Sequence, residues 1–189
     1  MAADTQRRKS MYQLRISLDG IAPPICRRVM VPASATLRRV HGVIQKSMGW
    51  TNSHLHVFEF DGRRLGRPDP DDTEYVEDDA RERLHEVLIA PGDSIAYEYD
   101  FGDSWRHTIL LEEIHLTGGG SPRTARCIAG ARACPPEDCG GLPGYQQFLE
   151  AILDPFHPEN REMREWLGRD FHPDAFDLAE ADRKVSRAR

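Results

Sequence analysis

Three of the four cysteines lie close together, at Cys127, Cys134 and Cys139, in a stretch rich in glycine and proline. Thiolates gathered in one loop suit a soft metal ion such as zinc. The spacing is wider than in the close cysteine pairs of most zinc fingers, so buried structural thiols and redox thiols remain alternatives. The absence of a Cys-x-x-Cys pair in the sequence argues against thioredoxin-type chemistry.

A tetrahedral zinc site needs a fourth ligand besides three thiolates. The histidines that could supply it are His54 and His56, which alternate along one predicted strand, His107 in a later strand, and the more distant His157 and His172. We therefore predict a zinc ion held by the three clustered cysteines, with His107 or His56 completing the coordination shell.

A second group of chemistry-capable residues surrounds the turn Asp100-Phe-Gly-Asp103, with His107 a few residues later. Two carboxylates and an imidazole can hold a hard divalent cation or perform acid–base catalysis. The same residues also fit a purely structural turn, in which aspartates accept backbone hydrogen bonds. If the protein is an enzyme, Asp100, Asp103 and His107 are the predicted catalytic residues.

Aromatic residues alternate with polar ones on both sides of this turn, which is typical of a β-hairpin with one aromatic face. Tyr97, Tyr99 and Trp105 lie on that face. We expect these three side chains to form a binding surface, and the partner that fits it best is another protein.

The order of the elements that must position these groups is strand, strand, helix, strand, then a short helix and a hairpin. It predicts an α+β fold: a β-grasp-like mixed sheet with one main packed helix, an added hairpin strand and a C-terminal helical extension. The predicted elements are strands at 11–19, 25–31 and 55–60, helices at 36–48 and near 84–88, a hairpin at 95–111, and helices at 145–153, near 163–167 and after Asp174 or Asp177.

The expected domain organisation is simple. A disordered lead precedes one domain, which has a sheet, a cysteine-containing loop and a helical extension, and a short tail follows. The corresponding residues are 1–10, then 11–117, 118–142 and 143–180 within a domain spanning 11–180, and 181–189.

The composition limits the classes of protein to which the chain could belong. A chain of 189 residues with 39% hydrophobic and 30% charged residues has the balance of a soluble domain. The net charge of -6 does not support a nucleic-acid partner, although a local basic patch keeps one possible. No apolar run could span a membrane and no secretory signal is visible, so we expect a cytoplasmic protein with reduced thiols and no membrane partner.

Six longer stretches carry a resemblance to known proteins: 12–19, 50–58, 97–107, 134–145, 154–158 and 171–177. Together they resemble one known family, the plasmid pRi ORF-three-like domain proteins, also described as passenger TnpR-like proteins of an insertion element. The resemblance implies a domain over about 11–180 and a small bacterial or archaeal protein associated with plasmids or mobile elements. Valine is common in the family at the position of Cys139, which implies that Cys127 and Cys134 are the better ligands.

The function predicted from these observations is that of a non-enzymatic binding or accessory module with a structural zinc site. The alternative is a metal-dependent hydrolase that acts on nucleic acid or phosphoesters. A more distant alternative, implied by the resolvase-like label of the family, is an accessory role in DNA recombination.

Overall fold

A computed structural model describes residues 9–68, 76–117 and 124–188. Over these residues the chain forms one eight-stranded sheet, one main helix packed against it, a short helix and three C-terminal helices. The strands are β1 (Ser10–Leu18), β2 (Cys26–Pro32), β3 (His56–Phe60), β4 (Arg63–Gly66), β5 (Glu77–Asp78), β6 (Ser94–Tyr99), β7 (Trp105–Leu116) and β8 (Arg126–Ala131). The helices are α1 (Leu37–Met48), α2 (Leu84–Val87), α3 (Gly141–Leu153), α4 (Asn160–Leu167) and α5 (Leu178–Val185).

The sheet has the strand order β5-β4-β3-β6-β7-β1-β2-β8. Neighbouring strands are antiparallel except β4 and β5, which run parallel, so the sheet is mixed. The added hairpin strand β7 lies between β6 and β1, in the middle of the sheet. The predicted α+β class is confirmed, and the narrower β-grasp label stays a prediction.

Helix α1 forms where the apolar spacing predicted it. The Thr36 hydroxyl accepts a hydrogen bond from the Arg39 backbone N–H at 3.3 Å and caps the first turn, and the helix ends at Gly49. Leu37, Val40 and Ile44 are fully buried on the face that covers the sheet. Their burial stabilises the fold by roughly 1.5–3 kcal/mol for each side chain.

The predicted hairpin is confirmed as β6 and β7, but the predicted binding surface is wrong. Tyr97, Tyr99 and Trp105 are at most 1% exposed and belong to the core. The Tyr97 hydroxyl contacts His41 and Gln45 of α1, because the aromatic face of the hairpin is the face that the helix covers. Alternation showed correctly that these residues share a face, and the packing of α1 made that face internal.

The stretch 118–142 is not simply a loop. Residues 118–123 lie outside the described part of the chain, but Arg126–Ala131 forms strand β8, which pairs with β2 at one end of the sheet. The short, glycine-containing segment lacks a strong alternating pattern, so its strand conformation comes from pairing with β2. Helix α3 begins at Gly141, close to the predicted start of the helical extension.

Regular secondary structure extends beyond both predicted ends of the domain. Strand β1 starts at Ser10, within the expected lead, while residues 1–8 lie outside the described part. The tail expected from 181 is largely helical, since α5 extends to Val185. The Asp177 carboxylate caps α5 by accepting a hydrogen bond from the Glu180 backbone N–H at 2.9 Å. Within the described residues, no helix has the length and apolar character needed to cross a bilayer.

Candidate metal centre

Three side chains from distant parts of the sequence converge next to the β6–β7 turn. His54, Asp100 and Asp138 each offer a ligand atom, and these atoms all lie within 4.8 Å of one another. His54 Nε2 is 3.1 Å from Asp138 Oδ1 and 3.6 Å from Asp100 Oδ2. A nitrogen and two carboxylate oxygens in this arrangement are a donor set that zinc accepts.

Asp100 is oriented by the backbone of its own turn. The residue has a positive φ of 58°, a conformation that aspartate tolerates better than most residues. Its Oδ1 accepts hydrogen bonds from the backbone N–H groups of Gly102 at 3.0 Å and Asp103 at 3.3 Å. Oδ2 is consequently the oxygen that faces His54. Asp100 is also almost completely buried, which removes competition from water at this carboxylate.

Glu137 adds a third carboxylate, with Oε2 3.9 Å from His54 Nε2. Its Oε1 accepts hydrogen bonds from the Thr51 backbone N–H at 2.7 Å and from the Tyr99 hydroxyl at 3.1 Å. Burial raises the pKa of Tyr99, and the Glu137 carboxylate raises it further. The tyrosine therefore remains a hydroxyl donor and fixes the Glu137 side chain from behind.

The cysteine-containing segment is attached to the sheet beside this group. The Trp50 indole N–H donates to the Pro135 carbonyl at 3.1 Å, and the Gly140 backbone N–H donates to Asp103 Oδ2 at 3.2 Å. At Gly141 the backbone passes so close that an added Cβ would lie 2.4 Å from the Asp103 carbonyl oxygen. The segment 134–141 is therefore held in place from both of its ends.

The zinc site predicted from the cysteines is not assembled. Among the described residues, His54, Asp100 and Asp138 form the one group with three ligand atoms within 4.8 Å. Cys127, Cys134 and Cys139 are free thiols that do not converge with His107 or His56.

Burial keeps these thiols protonated in the metal-free protein. It raises the pKa of all three, that of Cys139 to about 12. Metal coordination requires thiolates, so a metal that bound these cysteines would have to displace their protons. Among the described residues, no group of three converging ligand atoms includes any of these thiols.

His107 belongs to neither predicted site. It is completely buried, and its Nδ1–H donates to the Trp105 carbonyl at 2.9 Å. Its ring packs edge-on against Trp50, with ring centroids 5.4 Å apart. Burial lowers the pKa of His107 to about 4. The alternation along β7 points this side chain inward, under α1 and away from the turn that carries Asp100.

His56 is held by other partners. Its Nε2 is 2.9 Å from Asp79 Oδ2, and its ring stacks on His41 with centroids 3.6 Å apart. Burial lowers the pKa of His41 to about 4, and the neighbouring His56 lowers it further. His56 lies within β3, whereas His54 precedes the strand, so the two do not act as a pair on one strand face.

Asp103, the remaining residue of the predicted catalytic set, contacts the Gly140 backbone instead of His54. The structure thus retains Asp100 from that set and separates it from Asp103 and His107. Asp138 is the candidate ligand that the sequence analysis did not name, and His54 was named there only among the histidines that could complete a cysteine site. The acidic pair Glu137-Asp138 could have indicated a carboxylate ligand in this segment, but the cysteines on either side were considered instead.

The group borders a cleft of about 620 Å³. His54 and Asp100 line this cleft together with His41, His56 and Arg38. Asp138 is 69% exposed, so the site can be reached from solvent. A ligand entering the cleft would meet a surface that contains both imidazole and carboxylate groups.

The fold and the site together define an α+β domain in which one histidine and two aspartates from three sequence motifs lie close together. Residues 10–180 match the model of one family, the plasmid pRiA4b ORF-3-like proteins. The chain belongs to this family, as the sequence motifs indicated. The candidate metal ligands lie in three of the stretches on which that resemblance rests: 50–58, 97–107 and 134–145.

Two proteins are similar to this chain over most of its length. The chain is 39% identical over 160 residues to the uncharacterized protein y4hQ of Sinorhizobium fredii (strain NBRC 101917 / NGR234), covering 84% of this chain and 81% of that protein. The crystal structure of MM3350, a protein of unknown function from Methanosarcina mazei Go1, matches with a TM-score of 0.80 and 35% identity. The match covers 90% of this chain and 96% of MM3350.

Proposed function

We propose that this protein is a metal-binding accessory module in which His54, Asp100 and Asp138 hold a divalent cation, with zinc as the best-suited ion. The observation that supports this most directly is the convergence of their three ligand atoms within 4.8 Å. The proposal keeps the zinc function inferred from sequence and replaces its ligands.

The spacing of the group is close to that of ligand atoms around one metal ion. Tetrahedral zinc with its usual bond lengths holds neighbouring ligand atoms about 3.3 to 3.6 Å apart. His54 Nε2 is 3.1 Å from one aspartate oxygen and 3.6 Å from the other. This nitrogen is buried and has no well-oriented hydrogen bond to any acceptor in the described part of the chain. A cation would satisfy the nitrogen and both oxygens together.

A metal at this point would connect the segment before β3, the β6–β7 turn and the cysteine-containing segment. Glu137 would support the site from outside, since Thr51 and Tyr99 already fix its carboxylate. The site is thus suited to fixing the surface around the cleft, to which a partner protein would bind.

The experiment is a calorimetric titration of chelator-treated full-length protein with zinc chloride. We expect about one equivalent to bind, and binding to weaken at least about tenfold in His54→Ala and Asp138→Ala. His115→Ala is the matched control, because His115 is an exposed histidine that contacts Glu113 far from the site. Asp138 is exposed, so its replacement leaves the core intact.

The result that would contradict the proposal is equally specific. Zinc binding that remains unchanged in both His54→Ala and Asp138→Ala would place any metal elsewhere. Binding of less than about a tenth of an equivalent to the wild-type protein would remove the metal function altogether.

A second candidate function, metal-dependent hydrolysis of phosphoesters, is favoured by the cleft beside the ligands. Three protein ligands leave a coordination position for a water molecule, whose pKa a metal lowers. The test is hydrolysis of bis(p-nitrophenyl) phosphate by zinc- or manganese-loaded protein, with Asp100→Asn as the variant. Activity that Asp100→Asn abolishes would support this candidate. A wild-type protein that binds metal but hydrolyses nothing would exclude the hydrolase function and leave the metal-binding function in place.

A further inference from the structure

Arg27 is an unusual residue because it is a buried cation without a carboxylate partner. It is 2% exposed and lies on β2, below the C-terminal end of α1. No aspartate or glutamate among the described residues lies within ion-pairing distance of its guanidinium. Arginine is rarely this buried unless its charge is paired, so the surroundings of Arg27 need an explanation.

Three of the five guanidinium hydrogens are used by backbone carbonyls. Nε donates to the Ser47 carbonyl at 2.8 Å, and Nη1 donates to the carbonyls of Cys26 at 2.7 Å and Ala131 at 2.9 Å. Arginine has one hydrogen on Nε and two on each terminal nitrogen. Both Nη2 hydrogens therefore have no acceptor in the described part of the chain.

An aromatic ring fixes the plane of the guanidinium. Phe176 lies over it with its ring centroid 4.4 Å from the Arg27 Cζ. Gly130 also lies close to this ring, since an added Cβ would lie 2.5 Å from the Phe176 Cζ atom. The position of Nη2 is consequently fixed before any ligand arrives.

Arg27 lines a pocket of about 290 Å³ between α1, α5 and the segment 169–177. Lys46 and Arg169 also line it, and neither has an ion-pair partner among the residues that the structure describes. The acidic lining residues are Asp170, Asp177, which caps α5, and Glu180, which contacts the Lys184 ammonium at 2.7 Å. None of them forms an ion pair with Arg27, Lys46 or Arg169 among the described residues, so three cations of the pocket can still bind an anion.

We infer that this pocket binds a small ligand through an oxyanion group, a phosphate or a carboxylate, that accepts hydrogen bonds from Arg27 Nη2. The volume admits a group of this kind with a short organic remainder. Lys46 and Arg169 at the rim would attract the anion, and Arg27 at the floor would orient it. This site is separate from the candidate metal centre and does not depend on it.

The test is calorimetric titration of the full-length protein with inorganic phosphate and, separately, with succinate, at constant ionic strength against sodium chloride. We expect saturable binding of one of these anions, weakened at least about tenfold in Arg27→Met. Lys46→Ala should weaken it severalfold without affecting the fold, because Lys46 is exposed. Arg81→Ala, a change at a residue 88% exposed and outside the pocket, is the matched control.

Tighter binding of phosphate would identify a phosphorylated ligand, and tighter binding of succinate would identify a carboxylate. Heats equal to those of sodium chloride for both anions would overturn the inference. Saturable binding that is unchanged in Lys46→Ala and in Arg169→Ala would also overturn it, even if Arg27→Met did not fold.

Discussion

His41, His54, His56 and His107 differ in what surrounds them, and their surroundings decide their roles. His54 Nε2 faces three carboxylates, at distances of 3.1 to 3.9 Å. His41 and His56 stack on each other and bond to Asn52 and Asp79, respectively. His107 packs against aromatic rings and donates a hydrogen bond to the Trp105 carbonyl. Among these four histidines, only His54 lies within 4 Å of more than one carboxylate.

The environment of His107 predicts a pH dependence of stability. Its pKa falls from the ordinary value of 6.5 to about 4 on folding, because burial disfavours the imidazolium. The unfolded chain therefore binds a proton at a higher pH than the folded protein, and stability is lost as pH falls from 6.5 towards 4. Between pH 7 and pH 5 the loss through this histidine is about 2 kcal/mol.

The measurement is the free energy of unfolding in urea at both pH values, for the wild type and His107→Leu. The variant should lose about 2 kcal/mol less than the wild type over this interval. The exposed His115→Leu change should leave the pH dependence as it is. Parallel curves for the wild type and His107→Leu would show that His107 does not titrate in this way.

Among the elements, α3 depends on a contact that its sequence does not reveal. The helix begins at Gly141, where the backbone approaches the Asp103 carbonyl and φ is +66°. Gly168, at the end of α4, has the same φ of +66° but no atom within 4 Å of an added Cβ. Substitutions at the two glycines therefore allow the cost of the left-handed backbone conformation to be distinguished from the cost of a steric clash.

We expect Gly168→Ala to cost about 1 kcal/mol, since alanine must adopt a left-handed conformation there. Gly141→Ala should cost at least about 2 kcal/mol more, because its methyl group would also displace α3 from the β6–β7 turn. Urea unfolding of the two variants measures the difference. Equal losses would mean that the turn and α3 move apart without cost.

At the scale of the whole molecule, α5 attaches the end of the chain to β8. Asp182 accepts two hydrogen bonds from the Arg126 guanidinium, at 2.7 and 2.6 Å, and one from the Cys127 backbone N–H at 3.0 Å. The Arg126 side chain holds the pKa of Asp182 below its usual value. This carboxylate therefore joins the C-terminal helix to the edge of the sheet.

Asp182→Ala should lower the free energy of unfolding by about 2 kcal/mol, since it removes the acceptor of the Cys127 N–H as well as an ion pair. Glu180→Ala is the matched control on the same helix and should cost no more than about 0.5 kcal/mol, because its pair with Lys184 is exposed. Hydrogen exchange of β8 should accelerate in the first variant only. Equal effects of the two changes would mean that α5 is held by apolar contacts alone.

The fold was predictable where side chains repeat with a clear period. The alternation of Tyr12, Leu14 and Ile16 predicted β1, and the spacing of Leu37, Val40 and Ile44 predicted α1. Strands β4, β5 and β8 were not predicted, because each is short and is stabilised by pairing with a neighbouring strand. The candidate site was predictable only in part, through Asp100.

The sequence by itself determined the α+β class, the family, and the three motifs that contain the candidate ligands. Only the tertiary structure decided which residues of these motifs meet. Residue type and spacing favoured the cysteines, but the group of three converging ligand atoms in the described residues contains none of them. Contacts between residues as distant as His54 and Asp138 depend on how turns and strands dock in space, and no local pattern in the chain encodes that arrangement.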